Sequence, residues 1–280
     1  MATITAAQVN ELRNLTGAGL MDCKKALTEA NGDVQAAIDF LRKKGAKVAE
    51  LRAGRAAAEG VVIAKTSADG KKGVAVYLSC ESDFVAKNES FVKFATDIAD
   101  VALEKSPATL EDLLNLDLNG ATVKGQVQEK VSAIGELINV SAYETIAGES
   151  VVAYNHMGNK IGVLVALNKG LNDAVANVGK DVAMQIAAMN PVAVDASGVP
   201  AEAIEREKAI AREKAVAAGK PANILDKIAE GAGQTFIKEN TLLSQPFVKD
   251  GSKTVQQVLG SAESGLTVTG FKRVERGAAK

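Results

Sequence analysis

Two stretches of the chain are variants of one pattern. Glu59-Gly60-Val61-Val62 leads through a polar turn at Asp69-Gly70 to Gly73-Val74-Ala75-Val76-Tyr77-Leu78. About ninety residues later, Glu149-Ser150-Val151-Val152 leads through Gly158-Asn159 to Gly162-Val163-Leu164-Val165-Ala166-Leu167. Each copy reads as a β-hairpin, two β-branched apolar runs joined through Gly and Asx residues. A helical period follows each hairpin, from Phe91 to Leu103 and from Val175 to Met189. A repeated strand–turn–strand–helix unit predicts an α+β fold: two related subdomains with small antiparallel sheets, packed side by side.

The rest of the chain divides around that repeat. Residues 1–45 read as three short helices. Thr5 caps the first, with Val9, Leu12 and Leu15 apolar. Gly17-Ala18-Gly19 breaks it, and the second carries Met21, Cys23, Ala26 and Leu27. Asp33 caps the third, with Val34, Ala37, Ile38 and Leu41 inward and Gly45 as its stop. The pattern is similar to the ubiquitin-associated (UBA) three-helix module. Residues 46–58 form an Ala-rich connector, 59–148 the first core subdomain and 149–280 the second. Within the second, residues 201–237 carry two narrow apolar stripes around Gly219-Lys220-Pro221, which predicts a protruding antiparallel helical hairpin. Gln245-Pro246-Phe247-Val248, a helix from Ser252 to Leu259 and a strand from Leu266 to Val274 are expected to complete the second sheet.

Composition excludes several chemistries. The 33 basic and 34 acidic residues nearly cancel, which argues against a dominant nucleic-acid footprint. The single His rules out a His-pair zinc site, and no nucleophile elbow or phosphate-binding Gly-Lys-Ser/Thr loop is present. Gly17-Ala18-Gly19 lacks the spacing and the preceding strand of a dinucleotide site. Cys23 and Cys80 lie in apolar patterns and read as buried reduced thiols. With no charged-then-apolar leader and no membrane-length apolar run, a soluble cytoplasmic protein is expected, with neither cofactor nor metal.

One turn stands out. Cys80-Glu81-Ser82-Asp83-Phe84-Val85-Ala86-Lys87 joins the alternating strand Val74, Val76, Leu78, Cys80 to the helix beginning near Phe91. Read locally, Asp83 caps that helix and Phe84 staples its first turn into the core. Read functionally, a rigid turn projects an acid and an aromatic ring outward. In the second copy the matching region is the polar Asn172-Asp173, and His156 lies in the hairpin turn instead.

Four motifs, in order along the chain, decide between these readings. They are Leu12-Arg13-Asn14-Leu15-Thr16-Gly17-Ala18-Gly19-Leu20-Met21-Asp22-Cys23-Lys24-Lys25-Ala26-Leu27, Asp83-Phe84-Val85-Ala86, Tyr154-Asn155-His156-Met157-Gly158 with Ile161-Gly162-Val163-Leu164-Val165, and Gln245-Pro246-Phe247-Val248 with Ser252-Lys253-Thr254-Val255. Together they closely resemble the signatures of the bacterial elongation factor Ts family. Ser82 stands where many relatives have Thr, and Leu20 where Met is common.

The resemblance implies a guanine nucleotide exchange factor, not an enzyme, whose partner is the GTPase elongation factor Tu. It implies that Ser82, Asp83, Phe84 and Val85 form a wedge that dislocates the partner's magnesium. Arg13, Leu20 and Met21 would dock on the GTPase domain, and Ile134 and His156 would lie on the second subdomain's contact surface. No direct nucleic-acid or membrane contact is implied. The family sometimes pairs two exchange factors with two GTPases, and the sequence leaves that stoichiometry open. The competing expectation is a UBA-type adaptor whose small bundle binds an unrelated peptide. An enzyme built on a carboxylate pair lacks a convergent motif.

Overall fold

The computed structural model describes residues 4–52 and 54–278. Three helices open the chain: α1 (Ala6–Thr16), α2 (Leu20–Glu29) and α3 (Val34–Arg52). Thr5 and Gln8 form a capping box on α1, and Gly17 ends it in the left-handed conformation at φ 70°. The Asp33 side chain accepts the Ala36 N–H at 2.8 Å, which caps α3. Val9, Leu12, Ala18, Cys23, Ala26, Leu27, Ala37 and Leu41 form the bundle's core. Leu15 and Met21, apolar positions of these helices, are exposed. Thr16 is buried in place of Leu15, its hydroxyl donating to the Leu12 carbonyl at 2.8 Å.

Next come β1 (Glu59–Thr66), β2 (Lys72–Cys80), the single turn α4 (Asp83–Ala86), α5 (Glu89–Lys105), α6 (Leu110–Asn115), β3 (Asp117–Leu118), β4 (Ala121–Thr122), α7 (Val123–Ile134) and β5 (Asn139–Ala147). The second half contributes β6 (Ser150–His156), β7 (Ile161–Leu167), α8 (Asp173–Met189), α9 (Ala201–Ala217), α10 (Ala222–Asn240), β8 (Pro246–Phe247), β9 (Asp250–Thr254), α11 (Val255–Ala262) and β10 (Val268–Glu275). Two three-stranded antiparallel sheets result, ordered β1-β2-β5 and β10-β7-β6. In each, the second hairpin strand is central and the strand that closes the repeat flanks it.

The duplication runs further than the hairpins. The small ladder β3–β4 leads into α7 as β8–β9 leads into α11. Thr122 and Thr254 cap these two helices, and the first helical residues, Val123 and Val255, are both fully buried. Gln245 to Val248 was expected in the second sheet. It instead builds this separate ladder, and residues 250–254 are strand rather than the start of a helix.

The sheets stack face to face rather than side by side. Val61, Ile63, Val74, Val76 and Leu78 face α5 and α7, while Val163, Val165 and Leu167 face α8 and α11. Between the sheets lie Val62, Ala64, Ala75, Tyr77, Ala142, Val151, Leu164 and Ala166. Small residues set the close approach. A Cβ on Gly162 would lie 2.6 Å from Val62 Cγ1, and one on Gly73 2.8 Å from Val151 Cγ1. Strand β2, expected to be half-buried, is therefore covered on both faces from Gly73 to Cys80. The open edge of β1 is closed by the second sheet. The Asn155 side chain bonds the N–H and carbonyl of Ala64, and the Asn159 carbonyl takes the Val62 N–H.

Gly45 does not stop α3, which continues to Arg52 through residues expected to be connector. Its function is contact. A Cβ there would meet the Gln128 carbonyl oxygen of α7 at 2.0 Å. Arg42 bonds Glu129 at 2.6 Å beside it. The small bundle is thus docked on α7, a helix the sequence reading passed over. Helices α9 and α10 form the expected hairpin, turned at Gly219 (φ 69°), with Arg212–Asp226 and Lys208–Glu230 pairs along the seam. Among the described residues, no helix is long and apolar enough to cross a membrane.

Candidate functional site

The acid–aromatic turn is α4. Ser82, not Asp83, caps it, its hydroxyl accepting the Val85 N–H at 3.4 Å. Val85 and Ala86 pack toward the first core. Phe84 points the other way and is 83 % exposed. Asp83 is half-exposed and pairs with Lys87 at 2.5 Å, and that ammonium holds its carboxyl below the usual carboxylate range. The local expectation that Phe84 staples a helix into the core is overturned. A single turn offers room to bury only one side, and Val85 and Ala86 take it.

Two carboxylates hold the root of this turn. Glu136 accepts the Glu81 N–H at 3.2 Å, the Ser82 N–H at 3.0 Å and the Ser82 hydroxyl at 2.6 Å. Glu81 in return accepts the Leu137 N–H at 2.7 Å and the Arg52 guanidinium at 2.8 Å, with Arg55 at 3.3 Å. The Leu137 amide, followed by Arg52, pulls the Glu81 pKa down to about 2. Neighbouring Cys80 is buried, and that burial, with the Glu136 charge next in size, pushes its thiol up to about 12. Burial likewise raises Cys23. Both thiols are held protonated and are poor nucleophiles.

Glu81, Glu136 and Arg52 were not singled out in the sequence. For α7 a signal existed: Thr122 before Val123, Val127, Val131 and Ile134, then Gly135. Glu136 itself carried none, because its partners lie more than fifty residues away in sequence.

The remaining candidates gather at the same end of the stacked sheets. Ile134 was expected on the second subdomain. It is instead the exposed last residue of α7, two positions before Glu136, on a helix whose Val123, Val127 and Val131 pack into the first core. His156 ends β6 rather than sitting in the turn, half-buried, with its Nδ1 2.9 Å from the Tyr154 hydroxyl. The turn after it presents exposed Met157. Register ties that turn to the wedge. Glu59 pairs with Cys80 across β1–β2, Arg276 pairs with Glu59, and the Arg276 N–H meets the Lys160 carbonyl at 2.9 Å.

The bundle reaches the same end, since Ala133 of α7 packs into its core. Leu20 and Met21 open α2, and Met21 is 72 % exposed. With Ile4, Val9 and Lys24 they line an open apolar groove. Arg13 stands exposed in the last turn of α1. Among the described residues, no group of three or more His, Cys, Asp or Glu is placed to hold a metal ion.

Comparison with known proteins places the chain in a family. The family model described as Elongation factor TS matches residues 81–278. The chain is 53 % identical to Elongation factor Ts of Amoebophilus asiaticus, over 98 % of this chain and 99 % of that protein. It is 47 % identical to the protein of the same name from Christiangramia forsetii, over 99 % and 100 % of the two chains. For that of Methylococcus capsulatus the figures are 48 %, 98 % and 92 %. The family model covers more than half of this chain and the relatives nearly all of it: the chain belongs to the elongation factor Ts family.

Proposed function

We propose that this translation elongation factor acts in the cytoplasm as the guanine nucleotide exchange factor of elongation factor Tu, with α4 as its wedge. The observation that carries the reading is Phe84, 83 % exposed on a turn whose root is fixed by hydrogen bonds. An exposed aromatic ring on a rigid support gains by burial against a partner.

GTPases hold diphosphate with backbone amides and a magnesium ion whose ligand shell is geometrically strict. A small displacement of a supporting helix therefore removes much of the ion's affinity. Phe84 supplies the apolar wedge and Asp83 the polar group that holds displaced partner groups. Neither has to touch the metal.

Magnitudes fix how much else is required. A nanomolar nucleotide complex is worth about 12 kcal/mol. Releasing nucleotide roughly ten-thousandfold faster takes about 5.5 kcal/mol off the barrier. Burying one Phe supplies about 1.5–3 kcal/mol. Distributed docking supplies the remainder, through the Leu20–Met21 groove and Arg13 on the bundle, Ile134 beside the wedge, and His156 with its following turn. Linkage then requires GDP and exchange factor to weaken each other's binding by one factor, so a transient nucleotide-free complex forms that GTP resolves.

The test is to mix the chain with elongation factor Tu carrying labelled GDP and separate the products by size. The expected product is a complex of the two proteins without label, dissociated by added GTP. A complex that retains its GDP, or no complex at all, overturns the proposal.

A further inference from the structure

The turn α4 is four residues long, too short to be a stable helix by itself, and its side-chain cap is a long 3.4 Å bond. Phe84 receives almost no support from its own chain. What fixes the direction of the turn lies outside it. Glu136 follows Gly135, whose left-handed φ of 77° ends α7 and swings the chain back toward β2. There one carboxylate collects both amides and the hydroxyl at the root of α4. The exchange is reciprocal, since Glu81 at that root takes the amide of Leu137. Arg52, in the last turn of α3, pairs with Glu81 and ties in the helix that carries the small bundle. Arg42 with Glu129 ties that same helix to α7 again.

We infer that Glu136 and Glu81 are positioning residues for exchange: a crossed pair of carboxylates, with Arg52 anchoring Glu81, that aims the Asp83–Phe84 turn and couples its orientation to the docked bundle. This rests on the exchange reading above. Neither carboxylate reaches the partner. Each acts by restricting where Phe84 stands when the partner arrives, so its contribution belongs to the maximal rate rather than to docking. Charge-assisted hydrogen bonds to backbone amides are the strong kind, and both residues use them at the one joint where the turn would otherwise pivot.

The experiment measures labelled-GDP release from elongation factor Tu across a range of concentrations of the intact chain, Glu136→Ala, Glu136→Gln and Phe84→Ala, with thermal unfolding of each. For Glu136→Ala the maximal rate is expected to fall roughly ten- to a hundredfold, the scale of a small misplacement. Its half-saturating concentration should stay within about threefold of wild type, because the docking surfaces are untouched. Glu136→Gln keeps a carbonyl acceptor for the amides and an N–H donor for Ser82, and is expected to recover most of the rate. Amide hydrogen exchange in the free protein should accelerate at Glu81 and Ser82 in the Ala variant while the middle of β2 stays protected. A Glu136→Ala protein with a wild-type maximal rate, beside a slow Phe84→Ala, overturns the positioning role and leaves the exchange reading standing. So does a loss of rate that merely tracks lowered melting temperature and raised half-saturation. If the intact chain itself fails to speed release, the exchange reading falls first and this inference with it.

Discussion

Asp83 and Ser82 exchange the roles that their sequence positions suggest. An acid at the first position of a helix after a strand reads as a cap, yet Ser82 holds that place and Asp83 turns to Lys87. The tip was legible as an acid–aromatic pair at a strand-to-helix junction. Its support was not, because hydrogen bonds between positions 81–82 and 136–137 leave no local pattern. Glu81 makes that support measurable. Its pKa is depressed in the folded chain, so its contribution to stability is complete above the unfolded value near 4.5 and is lost as pH falls toward about 2. Urea unfolding of Glu81→Gln should therefore show a clear loss of stability at pH 7 that narrows steadily below about pH 4.5. A pH-independent difference would mean that the carboxylate's charge contributes nothing there.

At the scale of elements, Gly45 separates two readings of one residue. As an unpacked glycine inside α3 it would accept Ala with a gain of up to about 1 kcal/mol, the ordinary helix preference. As the contact between α3 and α7, with a backbone oxygen 2.0 Å from the added carbon, it should lose about 3 kcal/mol, near the top of the overpacking range. Gly231→Ala in α10, where nothing lies within 4 Å, is the control and is expected to be neutral or stabilising. Calorimetry of the two variants decides the matter: similar melting temperatures would sink the contact reading. Glycine's low helix propensity is all that the sequence displays at position 45. The neighbouring helix that demands it is more than eighty residues away.

At the scale of the whole molecule the core follows from duplication, and the sequence displayed the hairpins, their helices and the helical hairpin. How the copies meet was hidden. Period-two apolar runs locate strands but do not say whether one face or both will be covered. Gly73, Gly162, Ala64, Ala75 and Ala166 supply the answer only when placed on one face, where their small size lets the sheets close on each other. That stacking brings the β6–β7 turn, the end of α7 and the Asp83–Phe84 turn to a single end of the molecule, beside the bundle. A partner docked there meets all of them at once, so distant losses should multiply. Met21→Ala should raise the half-saturating concentration for elongation factor Tu without slowing maximal release, the reverse of the Glu136→Ala pattern. Equal effects on both quantities would contradict the division between docking and wedging.

The most direct test of the proposed exchange is the rate at which labelled GDP leaves elongation factor Tu at saturating concentrations of this protein, comparing the intact chain with Asp83→Ala/Phe84→Ala. The intact chain should accelerate release by orders of magnitude. The double variant, folded and still bound, should be slower by ten- to about a hundredfold, the worth of one buried aromatic ring. Release as fast with the double variant as with the intact chain would contradict the account.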